Sequence, residues 1–300
     1  MIRTTLVGIG ALSVLCLIGK ASAEQLAAYD FDTNTGTTGG AMATDVSGLG
    51  HDVTLQETAS IVMDADRGSM VLATGPGMAN PGPGAAIIGV GAVSDLSDGA
   101  DNSKLNTEGS FTMAAWLKTG NTEGWKQLFG RGWGSERIYS FIEGEASVAT
   151  ALSNVNDVNG NDLGFFWSGP SGGTAGGNDG NWHHYAITLD INGEFHSPNT
   201  VTTYYDGAPV WTSDPFVYSR NGSPATPAIG IGVRTPDLED YLRDSYVDDA
   251  VYWNEAANPA LIGQIAAGTV NGTDIHLIPE PSGLLLLLIG GAALAGWRRR

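Results

Sequence analysis

FTMAAWLKTG, residues 111–120, is the stretch on which the fold turns. Read at period two, Phe111, Met113 and Ala115 fall on one face and Thr112, Ala114 and Trp116 on the other, the pattern of a core strand. Moving toward the C-terminus, WKQLFGRG, RIYSFIEG and SVATALS continue as strands joined by short turns. LGFFW precedes a Gly/Ser/Asn-rich loop over 168–181. After it WHHYAITLD, VTTYYDG, APVW, AIGIGV and SYVDDAVYW read as five further strands, with Asp206-Gly207 as a hairpin turn.

Moving toward the N-terminus, LAAYDFD opens the domain and a Gly/Thr-rich loop fills 33–50. HDVTL, SIVM and SMVLA are short strands, and GPGMANPGPG (75–84) is a cluster that no regular element can cross. One helix is expected, NPALIGQIAA at 258–267, with Asn258 as N-cap and Pro259 at its first position. No internal repeat and no linker divides this region. Many short strands with tight turns mean an all-β sandwich or barrel.

Both ends have a different character. Arg3, the apolar run Leu6 to Ile18 and Ala21-Ser22-Ala23 form a signal peptide over 1–23, which predicts export. The single cysteine, Cys16, lies inside it, so the mature chain has no disulfide of its own. At the other end Pro279, Glu280 and Pro281 precede an apolar run over 283–297 and then Arg298, Arg299 and Arg300. That run is shorter than the ~20 residues of a comfortable span, and the arginines would stay cytoplasmic. The 279–300 segment resembles the PEP-CTERM sorting signal of bacteria. The resemblance implies cleavage by an exosortase, a transient stay in the inner membrane, and delivery to the cell surface or extracellular matrix.

The full chain has a formal net charge of −18. Losing both ends would leave 9 basic residues of 14 and 31 acidic of 32, a net of −22. Such a balance excludes nucleic acid and anionic membrane surfaces as partners, and favours solubility and divalent cations.

The order of segments in 24–278 also carries a resemblance. AYDFD with DVSGLGHDVTL, GSMVLATG, FTMAAWLKTG with QLFGRG, WHHYAITLD, TTYYDGAPVW, AIGIGV and YVDDAVYWNEAANPALIGQIAAG follow one another as in laminin-G-like domains. Those belong to the concanavalin A-like jelly-roll superfamily. The resemblance implies two antiparallel sheets packed face to face, with the first and last strands side by side. It also implies binding of sugars, glycan chains or proteins. It further implies a calcium ion clamped by Asp45, in the D-x-S-G loop, and Asp248, on the final strand. Read from their own residues, the two are equally solvated loop acids.

Candidate chemistry is sparse. His183 and His184 are adjacent, point to opposite faces of a strand and cannot share a metal; one should pack and the other lie at the surface. His51, His196 and His276 are isolated, and no G-x-S-x-G elbow is present. Carboxylate pairs for glycoside hydrolysis would have to come from Glu143 with Glu145, which have the i, i+2 spacing but sit beside Gly144 at a turn, or from Asp248 or Asp249 with Glu255, which lack the spacing. Trp116, Trp182 and Trp253 lie in strand patterns and read as core, whereas Trp125, Trp133 and Trp167 border loops and could stack on sugar rings. The expectation is a non-catalytic, exported jelly roll that binds a polysaccharide or cell-surface glycan, or acts in adhesion. A glycoside hydrolase or polysaccharide lyase of the same superfold is the alternative.

Overall fold

In a computed structural model, the described residues form two large antiparallel sheets, a two-stranded sheet and one short helix. The structure describes residues 25–33, 38, 40–48, 50, 52–56, 58–75, 85–88, 110–121, 126–131, 138–143, 147–152, 155–156, 159, 177–191, 193, 196–218, 230–232, 242–253 and 255–273. All lie in one compact unit, Ala23–Ile278. The expected signal peptide, the Pro279-Glu280-Pro281 motif and the apolar run fall outside the described residues. Among the described residues no helix is long and apolar enough to cross a membrane.

The strands are β1 (Gln25–Tyr29), β2 (Met42–Ala43), β3 (Val53–Gln56), β4 (Ser60–Asp64), β5 (Ser69–Thr74), β6 (Ala85–Ile88), β7 (Phe111–Thr119), β8 (Lys126–Arg131), β9 (Ile138–Glu143), β10 (Ser147–Leu152), β11 (Val155–Asn156), β12 (Trp182–Asp190), β13 (Thr200–Tyr205), β14 (Ala208–Thr212), β15 (Val217–Tyr218), β16 (Gly230–Ile231) and β17 (Ser245–Trp253). The helix α1 is Pro259–Ala266. One large sheet runs β14-β13-β12-β7-β17-β5-β4, with β1 also on β17, the other runs β10-β9-β8-β16-β6-β3-β2, and β11 pairs β15 in a two-stranded sheet. The first and last strands are neighbours, as the resemblance implied: Tyr29 opposes Ala250 and Ala28 opposes Val251.

Period-two alternation fixes what each face of the first sheet does. Phe111, Met113, Ala115 and Leu117 of β7 join Tyr185, Ile187 and Leu189 of β12 and Tyr252 of β17 on the inner face. Leu128 and Phe129 of β8, Ile231 of β16, and Val53 and Leu55 of β3 meet them from the second sheet. On the outer face Ala186, Ala114, Val251 and Ala28 stand in one cross-strand row. Their small side chains let α1 lie close, with Ile262 and Ile265 buried against them beside Tyr204 and Trp253.

Local chemistry sets the helix and its seat. Asn258 caps α1 by accepting the Ala260 N–H at 2.9 Å, and Pro259 follows. The β13–β14 turn has positive φ at both Asp206 (46°) and Gly207 (79°), the hairpin geometry that D-G favours. A Cβ on Gly207 would sit 2.9 Å from both Ala266 Cβ and Gly263 Cα, so α1 packs on the turn only because no side chain intervenes.

Three expectations need correction. The 33–50 loop contains β2, and Thr38 forms a bridge to Ser60. β6, β11 and β15 are strands of two to four residues that no pattern announced. Trp253 is core at 2% exposure, but Trp116 and Trp182 are only half-buried. They stand on the outer face in the rows beyond the alanines that seat α1.

Candidate functional site

Two cross-strand rows of the outer face build the site. One holds His184, Trp116 and Asp248, and the next Trp182, Lys118 and Tyr246, each row crossing β12, β7 and β17. The register of β17 slips between Asp248 and Val251, and Asp249 has a φ of 45°. A bulge re-aims a side chain, and here both consecutive carboxylates reach the same guanidinium. Arg67 supplies it. Its Nε donates to Asp248 Oδ2 at 2.8 Å and its Nη2 to Asp249 Oδ2 at 2.6 Å. Ser69 Oγ donates to Asp248 Oδ2 at 3.0 Å.

The turn between β4 and β5 presents Arg67. Asp64 Oδ1 accepts the N–H groups of Asp66 (3.0 Å) and Arg67 (2.8 Å), and Gly68 closes the turn on the Asp64 carbonyl with a φ of 77°. The same Asp64 accepts from Trp182 Nε1 at 3.1 Å and Lys118 Nζ at 3.0 Å. Lys118 also donates to Asp66 at 2.6 Å. The Arg67 guanidinium lies 4.2 Å from the Trp116 ring centre and 5.6 Å from that of Trp182, within the reach of cation–π attraction. His184 meets the edge of Trp116 at 5.4 Å.

Electrostatics follow from these contacts. Burial pushes the Asp248 carboxyl up to about 7, the neighbouring Asp249 adding to the effect and Arg67 opposing it. Asp249 moves the same way, again chiefly through burial. Burial pushes His184 down to about 4, so its ring is neutral at physiological pH. Asp64 resists its own burial: the Trp182, Arg67 and Lys118 donors outweigh it and hold the carboxyl below the ordinary carboxylate range. Asp248 Oδ1 and His184 Nδ1 are buried with no hydrogen-bond partner among the described residues.

The histidine pair divides as its spacing implied. His184 is packed at 1% exposure, while His183 faces the other way, its Nδ1 2.8 Å from Asp206 and its Nε2 3.2 Å from Asp179. Its ring stacks on Tyr205 at 4.9 Å. His196 is not isolated, for its Nε2 lies 2.7 Å from the Tyr204 hydroxyl.

Asp45 and Asp248 are each held by their own set of N–H and O–H donors. Asp45 Oδ1 accepts the Ala28 and Ser47 N–H groups, each at 2.9 Å, and Oδ2 accepts the Ser47 hydroxyl at 2.7 Å. Asp248 is held by Arg67 and Ser69. As arranged, these donors do not fit a calcium ion shared by the two, and among the described residues no three His, Cys, Asp or Glu side chains are grouped as metal ligands. Trp125, Trp133, Trp167 and Glu145 lie outside the described residues, as does the Glu143 side chain. Sequence reasoning missed Arg67, Asp64 and Lys118. The alternation of β7 did place Trp116 and Lys118 together on the outer face, and that was the available signal.

A family model described as the concanavalin A-like lectin/glucanases superfamily matches residues 95–263, from before β7 to within α1. The chain belongs to this superfamily. Solved structures agree with the superfamily's fold. One is the binding domain of botulinum neurotoxin DC in complex with rat synaptotagmin II, at 13% identity and a TM-score of 0.51, covering 82% of this chain and 52% of that one. Another, of botulinum neurotoxin type C, concerns interaction with two ganglioside molecules, at 11% identity and a TM-score of 0.50, covering 80% and 52%. The chain thus spans about half the length of these structures. No curated protein matches it.

Proposed function

We propose that this is a non-catalytic glycan-binding protein of the cell surface or extracellular matrix, binding through the outer-face patch around Trp182 and Trp116. The supporting observation is the stack of Trp116, Arg67 and Trp182, held in place by Asp64, Asp248 and Asp249. Sugar recognition combines an aromatic platform for the apolar face of a pyranose with fixed polar groups for its hydroxyls. Trp182 meets the first need with its ring orientation already fixed by its bond to Asp64, which lowers the ordering cost of binding. The neurotoxin domains of this fold are described with ganglioside and synaptotagmin partners, which favours binding over turnover.

Hydrolysis at this patch is disfavoured by the setting of Asp248. A general acid must reach the glycosidic oxygen, whereas Asp248 is 2% exposed and pinned by Arg67 and Ser69. A glycan array with the purified protein and with Trp182→Ala tests the reading. Binding that survives Trp182→Ala unchanged would reject the patch, and release of reducing or unsaturated sugars from a polysaccharide panel would reinstate the enzyme.

The route to the surface rests on the sequence of the two ends. We propose removal of 1–23 and exosortase cleavage near Pro279-Glu280-Pro281 after a transient stay in the inner membrane. Intact-mass analysis of the extracellular form should give a C-terminus near that motif; a product retaining Arg300 would sink the proposal.

A further inference from the structure

We infer that the glycan taken by this patch is non-anionic, a neutral or amino-sugar polymer rather than a uronate or sulfated one. The inference rests on the glycan-binding reading and adds the chemical class to it. Recognition of a carboxylate or sulfate needs a cation or cluster of N–H donors with capacity to spare. Among the described residues the two cations of the patch each already face two carboxylates, so little of their charge is left over. Lys118 is committed to Asp64 and Asp66, and Arg67 forks onto Asp248 and Asp249 with its face against Trp116.

Acceptors, by contrast, are in surplus. Asp66 has a side chain 75% exposed although it holds Lys118. Asp30 and Asp32 are near enough to Asp249 to disfavour its ionised form. Among the described residues six carboxyls therefore gather around one ammonium and one guanidinium, so even with Asp248 and Asp249 partly protonated an incoming anion meets an excess of acidic groups. Independently, Asp248 Oδ1 has no hydrogen-bond partner among the described residues, on a side chain more than nine-tenths buried in the same row as Trp116. A hydroxyl or ammonium, directly or through a water, matches what the row lacks; a second anion does not.

Titration calorimetry with the purified protein separates the cases, using laminarin as a neutral glucan, chitosan oligosaccharide as an ammonium-bearing one and alginate as a uronate. Laminarin or chitosan should bind, with alginate at least about tenfold weaker, and laminarin binding should be indifferent to salt. Trp182→Ala should weaken the preferred sugar about tenfold. Trp182→Phe keeps a ring and should largely restore it, which guards against a folding defect. Asp66→Asn should narrow the gap between alginate and laminarin. Alginate bound as tightly as the others, or a gap that Asp66→Asn leaves unchanged, overturns the class while leaving glycan binding standing. Silence from all three sugars overturns glycan binding itself, and this inference with it.

Discussion

Arg67 and Asp248 stand 181 positions apart in the chain and meet at 2.8 Å. The turn that follows β4 is thereby tied to the bulge of β17, and one guanidinium answers a buried carboxylate, Asp248, and a half-buried one, Asp249. Arg67→Ala should cost ~3 kcal/mol in urea unfolding, because removing one partner leaves desolvated charge behind. Arg67→Lys should recover less than half, since a single ammonium cannot fork. A loss below ~1 kcal/mol for Arg67→Ala would reduce the contact to an ordinary surface ion pair.

The same cluster predicts a compensated pH response. Asp248 titrates in the folded state at about 7 against an ordinary 3.8, so its contribution is full in acid and is lost as pH rises through that window. His184 titrates at about 4 against 6.5, so its contribution is full above 6.5 and is lost as pH falls. Relative to wild type, Asp248→Asn should lose stability on acidification between these limits and His184→Asn should gain it. Urea midpoints followed across the range check this, and parallel curves for the three proteins would refute it.

The seat of α1 is sensitive at two points. Gly207→Ala puts a side chain at positive φ, at ~1–2 kcal/mol, and drives a Cβ into Ala266 and Gly263. Asn258→Ala removes the cap at ~1 kcal/mol. Thermal melting should show both, with a double variant losing less than the two combined because one docked helix underlies each effect.

Calcium is checked by melting in the ion and in chelator. With Asp45 holding Ala28 and Ser47, and Asp248 holding Arg67, the midpoint should not move. Asp45→Ala should be destabilised equally in both, by ~1–3 kcal/mol, because backbone donors lose their acceptor. A calcium-dependent rise in wild type that disappears in Asp45→Ala would re-establish the shared ion.

Some of this was readable in the sequence, for stated reasons. β12 and β17 match WHHYAITLD and SYVDDAVYW residue for residue because long, largely buried strands leave a continuous apolar pattern. β2, β11 and β15, at two residues each, are too short to have a period and exist only through their partners. Trp116 and Trp182 were misread because one outer face serves two purposes. The rows under α1 are core and the next rows are not, and strand alternation cannot say where a helix of eight residues stops. Arg67 lies in a polar turn, DADRG, that carries no local signal of its role, because its partners come from the far end of the chain.

The position of β17 governs the order in which the protein can assemble. β7 lines one side of it, β5 and β1 share the other, and it is the last strand along the chain among the described residues. Until Trp253 is available, the first sheet is a group of separate pieces: β14-β13-β12-β7, the β4–β5 hairpin and β1. Closure of such distant pairings is slow and comes late. A chain moving N-terminus first through a narrow pore would keep this sheet open for nearly its whole passage, and then complete it with a single strand.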